Sequence, residues 1–95
     1  MIAEFSIVPI GAGESLSTAV AEAFKVIEAS RVSCEHHAMG TNLEGDWDDV
    51  MAVIKACRDR LLESSNRVSV SIKIDDRKGA TDRLAQKVSS AQAKM

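Results

Sequence analysis

From Ala3 to Pro9 the chain alternates, with Ala3, Phe5 and Ile7 on one side and Glu4, Ser6 and Val8 on the other. This period of two predicts a strand with one strongly apolar face. Pro9 lacks a backbone donor and ends the ladder or moves it to an edge, and Gly11-Ala12-Gly13 reads as a turn. The period then changes. Ser15 can cap a helix on which Leu16, Val20, Phe24 and Ile27 recur at helical spacing, with Ala19 and Ala23 beside them, as far as about Ser30. Alternation returns between Val32 and Thr41, where Val32, Cys34, His36 and Ala38 oppose Ser33, Glu35, His37 and Met39. Gly40 interrupts it, which predicts two short strands meeting in a tight hairpin around Gly40 and Thr41. Asp46 caps a second helix with the apolar stripe Trp47, Val50, Met51, Ile54, Cys57 and Leu61. Asp48 and Asp49 put negative charge in its first turn, where the helix dipole favours it, and Ser64-Ser65-Asn66 closes it. The clearest strand follows, with Val68, Val70, Ile72 and Ile74 alternating against Ser69, Ser71, Lys73 and Asp75. After the polar turn Asp76-Arg77-Lys78-Gly79, Thr81 caps a last helix carrying Leu84, Val88, Ala91 and Met95 on one stripe.

The order strand, helix, strand, strand, helix, strand predicts an α+β fold spanning residues 1–95 as a single domain. Two helices crossing over a four-stranded antiparallel sheet give the ferredoxin-like βαββαβ arrangement, with the C-terminal helix as an addition. That geometry leaves one sheet face uncovered, here bearing Glu4, Ser6, Val8, Ser69, Ser71 and Lys73. A half-apolar open face and a spare amphipathic helix predict a homo-oligomer.

Composition narrows the function classes. A chain of 95 residues holds one domain, and one this small is marginally stable alone. The net charge of −2 and the three aromatics Phe5, Phe24 and Trp47 speak against nucleic-acid binding, which wants a basic stripe or a stacking platform. No apolar run is long enough for a bilayer, and the first residues lack the basic start and apolar core of a signal peptide, so the expected location is the cytoplasm without membrane attachment. Cys34 and Cys57, far apart and without a CxxC, read as small buried hydrophobes.

The candidate chemistry is sparse. Gly11-Ala12-Gly13 before a helix resembles a phosphate cradle, but Leu16 stands where a dinucleotide fingerprint has its third glycine, and a flexible turn suffices. His36 and His37 are adjacent on a strand and point to opposite faces, one buried and one solvated. Cys34 and His36 share a face, but two ligands alone make no metal site, and none is assigned. Glu44, Asp46, Asp48 and Asp49 cluster around Gly45; capping accounts for the aspartates but not for Glu44. Asp75-Asp76-Arg77-Lys78 reads as a solvated turn. No nucleophile sits beside a base, so no catalytic residue is assigned and the protein reads as a non-enzyme.

Several segments carry a resemblance. Ile7-Val8-Pro9-Ile10-Gly11, Ser15, Met39-Gly40-Thr41-Asn42-Leu43-Glu44-Gly45, Trp47-Asp48-Asp49-Val50-Met51, Arg67-Val68 and Ile72-Lys73-Ile74-Asp75-Asp76-Arg77 stand in the order and spacing of the small thiamine-binding protein family. The Gly-Thr-x-x-Glu-Gly element is the most specific part, and the resemblance runs from Ala3 to about Val88. It implies a ferredoxin-like fold, a homotetramer built as a dimer of dimers, and a site for thiamine or its hydroxymethylpyrimidine moiety, with binding rather than catalysis and no further cofactor. Tested against that chemistry, Thr41 and Glu44 offer hydroxyl and carboxylate to an aminopyrimidine edge, and Ser15 adds a hydroxyl. The cationic thiazolium favours the rings of Trp47 and Phe5, although Trp47 reads more simply as core packing. A structural or regulatory homo-oligomer with a vestigial site is the alternative. The two differ in whether the helix–sheet cleft is open or filled by Met39, Met51 and Trp47.

Overall fold

The computed structural model describes residues 1–11 and 16–79. Six elements follow one another, β1 (Ile2–Pro9), α1 (Leu16–Ala29), β2 (Ser33–His37), β3 (Gly40–Glu44), α2 (Trp47–Leu62) and β4 (Val68–Asp75). The strands form one four-stranded antiparallel sheet in the order β2-β3-β1-β4. This is the ferredoxin-like arrangement that alternation and helical spacing predict. The C-terminal helix expected from Thr81 onward and the cap expected at Ser15 lie outside the described residues.

The registers fix the faces. Phe5 pairs with Thr41 and Ile72, Ala3 with Leu43 and Ile74, and directly paired residues share a face. Ala3, Phe5 and Leu43 therefore point together at the helices, where they bury against Ala23 and Ile27 of α1 and Val50, Val53, Ile54 and Cys57 of α2. Each Val, Leu, Ile or Phe among them, fully removed from water, contributes about 1.5–3 kcal/mol. Glu4 pairs with Lys73 and Asn42, Ser6 with Ser71, and Val8 with Ser69, which is the uncovered face expected from the alternation. On the edge strand β4, Ile72 and Ile74 point to the helix side, yet remain 41% and 37% exposed.

Four local expectations are corrected. The hairpin turns at Ala38 and Met39, between the paired residues His37 and Gly40, rather than at Gly40 and Thr41. Gly40 opens β3, where a Cβ would lie 2.6 Å from the Phe5 carbonyl oxygen and where φ is +155°. Glycine is needed there for close strand approach, not for the turn. Asp46 occupies the N-cap of α2 with extended backbone, but its carboxylate makes no capping hydrogen bond; its carbonyl accepts from Val50 N–H at 2.9 Å. Trp47 is not core: as the first residue of α2 it is 55% exposed, and Val53 takes the inward place. Cys57 is buried as expected, whereas Cys34, on the edge strand β2, is only half-buried.

Candidate functional site

β1 runs further than β3. Its pairing with β3 stops at Phe5–Thr41, while its pairing with β4 continues through Ser6, Ile7 and Val8 to Pro9. Past Phe5, one edge of β1 therefore has no ladder partner among the described residues. The first turns of α1 pass over this end of the sheet, and a cavity of about 200 Å³ opens between them. Its walls are Phe5 and Ile7 from β1, Leu16, Val20, Phe24 and Ile27 from α1, and the β2–β3 hairpin with Met39 and Thr41. The expected apolar stripe of α1 is thus present, but only its second half is core. Ala23 and Ile27 are buried, while Leu16 is 53% exposed.

Thr41 is the polar feature of this wall. It is the one polar or charged residue among the buried described residues, and its hydroxyl lies 3.1 Å from Nδ1 of His36. The His36 ring stacks on Phe24 with centroids 3.8 Å apart, and its Nε2 lies 2.9 Å from a Glu28 carboxylate oxygen. On the opposite sheet face, His37 Nδ1 accepts from Met39 N–H, and Nε2 lies 3.2 Å from Asn42 Oδ1 and 3.3 Å from Glu4. The two histidines do occupy opposite faces, but each is partly buried, rather than one buried and one solvated.

The five residues predicted to hold a ligand are divided. Phe5 and Thr41 line the cavity together. Glu44 does not reach it, because three residues along a strand place two side chains on opposite faces about 10 Å apart. It borders a second, more open depression of about 450 Å³ with Arg31, Ser33, Gly45 and Asp49. Trp47 lines neither, and Ser15 lies outside the described residues. We take the smaller hollow as the candidate site, because apolar walls with few polar groups are the usual form of a small-molecule pocket. Leu16, Val20 and Phe24 belong to it and were not predicted. Their signal was an apolar stripe on a helix with too little sheet beneath it. Of Met39, Met51 and Trp47, only Met39 reaches the cleft, and it is 82% exposed, so the cleft is open.

Cys34 and His36, as their spacing predicts, share a face, and the structure adds Glu28 from the last turn of α1. Burial and the nearby Glu28 carboxylate push the Cys34 thiol up from its ordinary range.

Similarity to known proteins extends over nearly the whole chain. A UPF0045 protein of Mycobacterium bovis is 38% identical over 93 residues, covering 97% of this chain and 91% of its own length. The UPF0045 protein of Methanocaldococcus jannaschii is 38% identical over 88 residues, covering 93% of this chain and 88% of its own. Its crystal structure superposes with a TM-score of 0.87 over 96% of this chain and 94% of that one. A Thermotoga maritima protein, proposed to act in thiamine biosynthesis or salvage, has the same fold at 21% identity, with a TM-score of 0.83 over 95% of this chain and 96% of that one. The sequence profile that matches residues 3–92 is that of the thiamine-binding proteins, and to this family the chain belongs.

Proposed function

We propose that the protein binds thiamine, or its hydroxymethylpyrimidine moiety, in the cavity between the start of α1 and the free edge of β1, and does so without chemical conversion. The observation that carries this reading is an open apolar cavity with a buried hydroxyl, Thr41, in its wall and, beside it, a strand edge that no described residue ladders. An aminopyrimidine ring has two apolar faces and a donor–acceptor edge. Phe5, Leu16 and Phe24 suit the faces. The Thr41 hydroxyl and the backbone of Ser6–Val8 offer both donors and acceptors to the edge. The family's name, and the role proposed for the Thermotoga maritima relative, point to the same chemistry.

Size favours the pyrimidine half. About 200 Å³ is below the roughly 300–1,000 Å³ of pockets that enclose drug-sized ligands. A single ring fits inside, and the thiazolium and any phosphate of a longer ligand lie at the mouth beside Met39. The reading includes a cytoplasmic homotetramer, a dimer of dimers, supported by the uncovered sheet face and the exposed Ile72 and Ile74. A stable monomer in sedimentation at micromolar concentration would count against that assembly.

Calorimetry with hydroxymethylpyrimidine, thiamine and thiamine diphosphate tests the site. Hydroxymethylpyrimidine should retain most of the affinity of thiamine, and Thr41→Val should weaken both. The absence of heat and of any thermal shift with all three at millimolar concentration refutes the ligand. Loss of binding in Glu44→Gln, with Thr41→Val unaffected, moves the site to the second depression.

A further inference from the structure

We infer that Glu28, Cys34 and His36 form a binding site for a divalent transition metal of the zinc type, with Thr41 positioning the histidine. The inference does not depend on the thiamine reading. Cys34 and His36 are two residues apart on β2 and so point the same way. The last turn of α1 lies over them and delivers Glu28. One ligand atom from each, a thiol sulfur, an imidazole nitrogen and a carboxylate oxygen, lies within 4.8 Å of the other two. Zinc bonds of about 2.0–2.3 Å place neighbouring tetrahedral ligands roughly 3.3–3.7 Å apart. Closing the longest of these separations takes about 1 Å, and the Glu28 carboxylate, now 2.9 Å from His36 Nε2 on a 64% exposed side chain, gives up that contact as the metal enters.

The donor set selects the metal. A thiolate and an imidazole suit zinc and its neighbours, while magnesium and calcium require oxygen donors. Three protein ligands leave a fourth position for water or an outside group, as in open rather than purely structural zinc sites.

The surroundings of His36 separate this cluster from a surface ion pair. Metal-bound histidines donate their second N–H to an oxygen that fixes the ring. Thr41 Oγ1 is in place for this, 3.1 Å from Nδ1, and Phe24 holds the ring plane by stacking at 3.8 Å. In the metal-free neutral ring, the tautomer that satisfies the Glu28 carboxylate carries its proton on Nε2 and leaves Nδ1 to accept from the threonine hydroxyl. With metal on Nε2, the ring proton sits on Nδ1 and donates to the same oxygen. A hydroxyl serves both tautomers because it can donate and accept. Metal capture also deprotonates the Cys34 thiol, and that proton leaves to solvent.

The test is cobalt titration of the full chain without thiamine compounds, so its failure is distinct from failure of the ligand reading. One Co²⁺ per chain should produce a thiolate-to-cobalt charge-transfer absorption that Zn²⁺ bleaches. Cys34→Ser should abolish the band, and Cys57→Ala should keep it. Thr41→Val should weaken affinity about 10–100-fold, the usual cost of losing such a partner, and Thr41→Ser should restore it. Exposed Glu28→Gln preserves the fold and should weaken binding. No thiolate band, a band that survives Cys34→Ser, or unchanged affinity in Glu28→Gln would each overturn the site.

Discussion

The two helices present apolar stripes to the same sheet and put them to different uses. On α2, Val50, Val53, Ile54, Cys57 and Leu61 are all buried. On the first turns of α1, Leu16 and Val20 stay 53% and 37% exposed. The difference lies in what is beneath. The second half of α1 lies over the sheet where β1 and β3 are paired, whereas its start overhangs a part of β1 that β3 no longer flanks. Apolar side chains at a helix start are therefore not by themselves core. Where the sheet runs out, they become the wall of a pocket, and such exposed apolar area marks a binding surface more often than a packing fault.

The sharpest way to break this comparison is to truncate one leucine in each region. Leu43 is fully buried in the packed region, and Leu43→Ala should cost about 2–5 kcal/mol in urea denaturation, the range for deleting a buried leucine side chain. Leu16→Ala should cost less than about 1 kcal/mol, because little apolar area returns to water, yet it should weaken hydroxymethylpyrimidine binding. Equal losses of stability would show that the start of α1 is core after all.

The cysteines carry the same contrast into pH dependence. Cys57 is fully buried, its thiol donates towards the Ala23 carbonyl oxygen at 3.7 Å, and burial pushes its pKa from the ordinary 9.0 up to about 11. The folded state then holds a proton that the unfolded chain releases. This contribution is full below pH 9 and is lost as the pH rises through about 11. It amounts to about 2–3 kcal/mol across that window. Denaturation at stepped alkaline pH should show the decline, and Cys57→Ala should flatten it. Half-buried Cys34 should react with a thiol reagent in the native state, and Cys57 only on unfolding. Native reaction of both at one rate would erase the distinction between the regions.

How much of this was legible beforehand follows from the range of each signal. Alternation at Ala3–Pro9 and Val68–Asp75, and helical spacing at Leu16–Ile27 and Val50–Leu61, are local consequences of burying one face. They sufficed for the element order and for the open face with Glu4, Ser6 and Lys73. Gly40 was misread because a glycine needed for close approach to the Phe5 carbonyl looks, in one dimension, like a turn glycine. Thr41 and Glu44 are near neighbours in sequence, yet three residues apart on β3 they face opposite sides of the sheet. Glu28 meets Cys34 and His36 only through the packing of α1 on β2, a tertiary event that no local period records.

The smallest effect belongs to Trp47, the only tryptophan and so a clean reporter. It stands at the first turn of α2, 55% exposed and outside the cavity lining. Trp47→Phe should change stability by less than about 0.5 kcal/mol, as for surface substitutions generally, and should leave hydroxymethylpyrimidine affinity unaltered. In the unsubstituted protein its emission should be that of a solvated indole and should not move when the pyrimidine binds. An emission shift on pyrimidine binding would place the ligand against the start of α2, where Glu44, Asp48 and Asp49 supply charge. The pocket would then belong to the acidic end of the sheet, and the exposed residues of α1 would need another occupant.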